Sequence, residues 1–194
     1  MKTSTVHVAA TRDEDRVVGV ITVAFAADPA MRWLYPDVSK YLSGFPKLVR
    51  AFGGGAFEHG SAHEVSDLAG TAIWLPPGID ADKAALVRVI ESTVDAERVP
   101  RVFEALGQLD RYHPTESHWY LPFIGVDTPR QGRGLGSLLL SYALEQVDRE
   151  HCRAYLETAN PANIPLYQRH GFELVGRIEL PSAPVLYPMV RPGR

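Results

Sequence analysis

A single cysteine, Cys152, stands in 194 residues, so no intrachain disulfide can form and no cysteine cluster can hold zinc. The chain reads as one suited to a reducing, cytoplasmic setting, and no metal site is expected. Neither sign of charge dominates. Twenty Lys+Arg against 23 Asp+Glu create no global field to draw nucleic acid or an anionic membrane, so any anion site has to be local. No apolar run reaches the roughly 20 residues that a membrane span needs. The run "VVGVITVAFAAD", Val17–Asp28, ends in Ala-x-Ala like a signal peptide. It follows "RDEDR", however, where a secretory leader needs basic residues, and reads as a buried helix. No fixed-period repeat or low-complexity tract is evident.

What is present is a mixed order of strand and helix signals, of a length that suits one α/β domain over residues 1–194. Ser4–Ala10 alternates as a strand, and Asp13, Glu14 and Asp15 suit the first turn of the helix that follows. Pro29 and Pro36 predict a loop through "ADPAMRWLYPD". A second helix is expected from Ser39 to about Glu58, then two short strands within "AHEVSDLAGTAIWLPPG". Asp80 to about Tyr112 reads as helix with a break near Pro100. "HWYLPFIGV", His118–Val126, is the strongest strand, and its Pro122 and Gly125 predict an edge or a bulge. A glycine turn, a helix to about Glu150, the strand "RAYLET", a short helix after Asn163 and strands around "GFELVGRIEL" and "APVLYPMV" complete the chain. Helices interleaved with strands imply an α/β fold of the α+β, mixed-sheet kind, with helices covering the sheet.

The turn in "RQGRGLGSLLLSYALEQ", Arg130–Gln146, concentrates three glycines and two arginines at a helix start. Such a start points free backbone N–H groups and about half a positive charge outward, and glycines let a phosphate approach closely. Arg130 and Arg133 add charge, and Leu135, Leu138, Leu139, Tyr142 and Ala143 form the helix's apolar stripe. An ordinary strand-to-helix turn is the plain alternative. The spacing is neither G-x-x-x-x-G-K-[ST] nor a G-x-G-x-x-G after the first strand of a βαβ unit, so triphosphate and dinucleotide readings fit poorly.

Gln131-Gly132-Arg133-Gly134-Leu135-Gly136 resembles the Q/R-x-x-G-x-G/A signature of the GNAT family of N-acetyltransferases. A strand ending "IGV" before it and "LETANPANIPLYQRHGF" after the next strand resemble the neighbouring family blocks, in the family's order, across Trp119–Phe172. More loosely, "AADPAMRW", "AIWLPP" and "HWYLPFIGV" are similar to the puromycin-type, small-molecule branch. The resemblance implies a GNAT-like acyl-CoA N-acyltransferase fold, a splayed central sheet flanked by helices, with acetyl-CoA (coenzyme A) as cofactor. Gln131, Gly132, Arg133, Gly134, Leu135, Gly136 and Ser137 would then hold the pyrophosphate. Backbone groups of Ile124, Gly125 and Val126 would take the pantetheine arm as an added strand, with one amide free as an oxyanion donor. Asn163 and Tyr167, one helical turn apart, would both face the cofactor, with Tyr167 near the sulfur to stabilise or protonate the thiolate.

The general base does not transfer from the resemblance. Where the family often carries a carboxylate on the strand before the turn, this chain has Tyr120 and Pro122. Glu116, His118 and Glu157 are candidates, each with a purely structural alternative as loop surface, satisfied strand histidine, or arginine partner or loop cap. Asp28, Trp33, Tyr35, Trp74 and Tyr120 are candidates for the acceptor wall, because aromatic faces and carboxylates attract ammonium groups; core or lid packing is the alternative. These residues together indicate an N-acetyltransferase acting on a small-molecule amine by direct attack on the thioester. A non-catalytic acyl-CoA sensor and a protein N-terminal acetyltransferase are the rival readings. With no carboxylate on the strand, a low-pKa acceptor such as an α-amine is expected, deprotonated through water or before binding. Neither nucleic acid nor membrane is expected as a partner, and a homodimer is allowed for.

Overall fold

The computed structural model describes residues 4–194. Its sheet comprises β1 (Val6–Val8), β2 (Ala62–Val65), β3 (Gly70–Leu75), β4 (His118–Val126), β5 (Arg153–Thr158), β6 (Glu173–Leu174) and β7 (Tyr187–Arg191). The spatial order is β1-β2-β3-β4-β5-β7-β6, and β4–β5 is the parallel pair among antiparallel neighbours. The helices are α1 (Glu14–Ala24), α2 (Pro29–Leu34), α3 (Val38–Gly53), α4 (Gly55–Glu58), α5 (Lys83–Thr93), α6 (Val99–Asp110), α7 (Leu135–Arg149) and α8 (Ile164–Arg169). This is the helix-flanked mixed sheet that the pattern implied.

Each face of the sheet carries its own core. On one, Val17 and Ile21 of α1, Phe45 and Val49 of α3 and Ile90 of α5 close over Ile73 and Phe123. On the other, Leu139, Leu140 and Val147 of α7 cover Trp74, Leu121 and Leu156, with Tyr167 and Phe172 at the margin. Each buried side chain of this size contributes roughly 1.5–3 kcal/mol by leaving water. The α7 stripe is rotated from the expected one: Leu140 and Leu144 are buried, whereas Tyr142 is exposed and Leu138 half-buried.

Several boundaries differ from the sequence reading for local reasons. Pro29 does not break a loop. It occupies the first turn of α2, where its missing N–H costs nothing; the Asp28 carboxylate caps that turn by accepting from the N–H groups of Ala30 at 2.9 Å and Met31 at 3.1 Å. The helix expected over Ser39–Glu58 divides at Gly54. Pro100 likewise sits in the first turn of α6, the break lying before it.

β4 is central rather than an edge strand, and the bulge is real. Ile73 pairs with Phe123 but Leu75 pairs with Tyr120, so β4 holds one extra residue at Leu121–Pro122. The insertion shifts the side-chain alternation. Trp119, Leu121, Ile124 and Val126 pack with the α7 face, whereas Tyr120 and Phe123 face the α1 and α3 side. A second consequence follows at the same place. β4 pairs with β5 only through His118–Leu121 opposite Arg153–Leu156. Beyond Pro122, β4 stays with β3 while β5 stays with β7 as far as Thr158, and the two parallel strands part.

Candidate active site

The parting of β4 and β5 opens a cavity that collects residues from distant parts of the chain. Ile124, Asn163 and Tyr167 line it together with Asp28, Trp33, Tyr120 and Glu157. The rest of its wall is mostly apolar, from Met31 and Leu34 of α2, Leu106 of α6 and Leu180 beyond β6. Asn163 and Tyr167 fall on the same side of the α8 turn, as their spacing implied.

Tyr167 is 5% exposed, and burial, reinforced by the negative Asp28, raises its phenol well above the ordinary value. It is therefore a firm hydrogen-bond donor and a reluctant acid. Burial likewise raises Asp28, opposed by the two N–H groups it caps. Burial together with the nearby Glu157 carboxylate raises Tyr120 far above its ordinary range. The Glu157 side chain is 10% exposed, and its Oε1 has no hydrogen-bond partner among the described residues. The Tyr120 and Tyr155 phenols and the His113 ring, its Nε2 3.4 Å from Oε1, stand beside this carboxylate, so it is buried among groups that can share a proton with it.

The glycine turn adjoins the far end of β4. Gly132 and Gly134 both adopt left-handed backbone, with φ of 73° and 80°, and a Cβ at either would meet nothing within 4 Å. Gly134 caps α7 without any side chain, so the N–H groups of Leu135, Gly136 and Ser137 emerge from the helix end with no intrahelical acceptor. This fits an anionic group: unfilled space, oriented donors and the positive helix end coincide. The Gln131 amide donates to the Val126 carbonyl at 3.1 Å, tying the turn to β4. Arg130 faces Asp127 at 3.9 Å, so its charge is partly balanced. Leu135 is buried in the α7 core and offers only its backbone.

Some predicted residues lie elsewhere. Trp74 is fully buried in the α7 core, away from the cavity lining. Tyr35 is buried with its hydroxyl engaged by Thr93 at 2.8 Å. Neither lines the cavity, and both are core residues. Glu116 pairs with Arg153 at 3.3 Å. It and His118 line a second cavity, behind Tyr120 and Glu157, and not the first. The side-chain direction at Gly125 runs into α1: a Cβ there would stand 2.7 Å from the Ala24 Cβ. Sequence reasoning missed His113, whose ring lies among Tyr120, Tyr155 and His118 with centroids 4.8, 4.2 and 5.4 Å away. It also missed the apolar contribution of α6, which that helix's amphipathic pattern alone does not assign to a site.

Among the described residues no helix is long and apolar enough to cross a membrane. Residues 86–172 match the acetyltransferase (GNAT) family. The chain is 27% identical over 178 residues, 83% of its length and 71% of the relative's, to an uncharacterised N-acetyltransferase of Schizosaccharomyces pombe. Two solved structures share the fold. One is a histone acetyltransferase HPA2 and related acetyltransferase from Corynebacterium glutamicum, with TM-score 0.70 and 24% identity, covering 100% of this chain and 98% of that one. The other is a mosquito arylalkylamine N-acetyltransferase like 5b, with TM-score 0.67 and 14% identity, covering 98% and 100%. The family match falls across the parted strands, the glycine turn and the asparagine–tyrosine helix, so this segment of the chain, residues 86–172, is similar to a GNAT-family acetyltransferase domain.

Proposed function

We propose that the chain transfers the acetyl group of acetyl-CoA to the primary amine of a small molecule with an apolar body, using Glu157 as base and Tyr167 as hydrogen-bond donor to the departing sulfur. The observation that carries this reading is the single cavity at the β4–β5 parting. Asn163, Tyr167 and Ile124 line it alongside the buried Glu157 carboxylate, whose Oε1 accepts no hydrogen bond among the described residues, within largely apolar walls.

Acetyl-CoA supplies an activated acetyl thioester and a thiolate leaving group. The uncapped first turn of α7 and the open space over Gly132 and Gly134 suit its pyrophosphate, and the unpaired β4 edge beyond Pro122 suits its pantetheine arm. Asp28 draws the acceptor's ammonium inward while Trp33 and the aliphatic wall hold its body. Only a neutral amine attacks. An alkylamine of pKa about 10.4 is ~0.1% neutral at pH 7.4, a deficit of roughly 4 kcal/mol, and Glu157 offsets part of it by taking the proton. The low-pKa acceptor was expected because β4 carries no carboxylate; with Glu157 of β5 as base across the gap, an acceptor of higher pKa would also serve. Tyr167 keeps its own proton and stabilises the thiolate by hydrogen bonding.

The direct test is transfer of labelled acetyl groups into a panel of amines. Alkyl- and arylalkylamines should be acetylated in preference to polycations, whose second charge would be buried among apolar side chains. Glu157→Gln should lower turnover by about 10²-fold or more at unchanged acetyl-CoA affinity. Tight acetyl-CoA binding with no transfer to any amine would replace this reading by that of a sensor.

A further inference from the structure

The second cavity shares Tyr120 and Glu157 with the first as a common wall. Behind that wall two hydrogen bonds and one ion-pair contact run in series. His118 Nδ1 lies 2.9 Å from the Glu116 carbonyl oxygen, His118 Nε2 lies 3.2 Å from His113 Nδ1, and His113 Nε2 lies 3.4 Å from Glu157 Oε1.

The order of these links fixes the tautomers. A carbonyl only accepts, so His118 Nδ1 carries a hydrogen, and in the neutral ring Nε2 is then bare. The hydrogen between the two rings must therefore come from His113 Nδ1. That leaves His113 Nε2 without a hydrogen, 3.4 Å from Glu157 Oε1. With both rings neutral and Glu157 ionised, two bare acceptors face each other. The arrangement is completed only by one further proton, held on Glu157 Oε1 or on His113 Nε2.

Resting on the acetyl-transfer reading above, we propose that His113 relays the proton Glu157 takes from the amine into the second cavity, and that His118 holds the tautomer that makes this transfer productive. The amine N–H bond breaks as the Glu157 O–H bond forms. That O–H then breaks as a His113 Nε2–H forms, and the imidazolium returns the proton to water in the second cavity. No co-reactant is needed. His113 is 27% exposed at its side chain and lines the second cavity but not the first, so the base is drained away from the thioester. The groups facing the pair keep the traffic directional. Tyr120 and Tyr155 are held as phenols, chiefly by burial, and do not compete for the proton. Desolvation, aided by His113, biases His118 against a second proton, while the hydrogen bond to the Glu116 backbone, and after it Asp80 and Glu157, oppose that bias. Glu116 is paired with Arg153, and Asp110 lines the cavity that receives the proton. A shared metal is not the better reading of these three side chains, since no group of His, Cys, Asp or Glu among the described residues has metal-site geometry.

Two experiments test the relay. His113→Ala should lower kcat by about tenfold or more at unchanged acetyl-CoA affinity, and added imidazole, small enough for the second cavity, should restore it. Glu157→Gln should lose activity without such rescue. Full activity of His113→Ala, or a loss that imidazole does not restore, overturns the relay; full activity of Glu157→Gln instead overturns the base assignment. Should no amine prove to be a substrate, ¹⁵N imidazole spectra of the unliganded protein still decide. The relay requires the Nδ1–H tautomer at both neutral rings, and an Nε2–H tautomer at His113 beside a neutral His118 refutes it.

Discussion

Gly125→Ala separates two reasons for a glycine beside the parting strands. If the position serves only the approach of a ligand to β4, alanine there should cost binding and little else. The geometry says otherwise. A Cβ at Gly125 would stand 2.7 Å from the Ala24 Cβ and 3.3 Å from the Ile21 Cδ1, against a comfortable carbon–carbon separation of about 3.5–4.0 Å. Ala24 has no rotamer with which to yield, so the end of α1 must retreat by about 1 Å. Overpacking of this kind costs roughly 1–3 kcal/mol, and the reduced chain entropy of alanine over glycine returns about 0.4–1 kcal/mol where the backbone permits. A net loss of about 1–2 kcal/mol corresponds to a Tm lower by about 2–8 °C for a chain of this length. The displaced segment continues into Phe25 and Asp28, which line the cavity, so the amine KM should rise by several-fold as well. Thermal unfolding and steady-state kinetics on the same preparation check both numbers. An unchanged Tm in a folded variant would refute the packing argument.

Three further outcomes follow from other parts of the molecule. Gly134→Asp should abolish CoA binding by calorimetry while the fold survives, because the new side chain enters open space at a left-handed position and sets a negative charge at the α7 start. Tyr167→Phe should lower turnover by up to about 10²-fold with acetyl-CoA affinity little changed; wild-type turnover would show that the thiolate needs no donor. Asp148→Asn should destabilise the fold by about 1–3 kcal/mol in urea, since Arg191 is 2% exposed and loses a two-pronged partner at 2.7 and 2.9 Å. Hydrogen bonding to Arg191 holds the Asp148 carboxyl below its ordinary range. Its contribution is therefore fully present above the unfolded value of about 3.9 and disappears as pH falls through the lowered folded value. The urea midpoint of the wild type should drop more steeply than that of Asp148→Asn below about pH 4.

The parts of the fold legible in the sequence were those governed by short-range chemistry. Alternation identified β4 and β5 closely because each is a run of apolar or β-branched residues ended by a helix signal. The proline and glycine inside β4 announced the bulge, yet they also suggested an edge. What keeps β4 central is pairing with β3 and β5 from opposite sides of the chain order, and no local pattern records that. Proline misled in a second way. At Pro29 and Pro100 it opens a helix rather than breaking one, and Asp28 immediately before Pro29 was the visible cue.

The site divides along the same line. The glycine turn and the Asn163–Tyr167 pair were legible because each lies within one short segment whose spacing encodes its geometry. The groups proposed for acid–base work were not, because their placement depends on register between strands. Glu157 ranked no higher than Glu116 or His118 in the sequence, where one carboxylate looks like another. The structure separates them by a single consequence of the bulge: β5 diverges from β4 just after Leu156, so the next side chain, Glu157, is left in the opening, with no hydrogen-bond partner for its Oε1 and the His113 ring behind it. Trp74 and Tyr35 failed for the complementary reason, since aromatics beside prolines pack into whichever core the sheet presents. One extra residue at Leu121–Pro122 thus parts the strands that open the site, frees the carboxylate opposite the opening, and turns Tyr120 toward the wall that divides the two cavities.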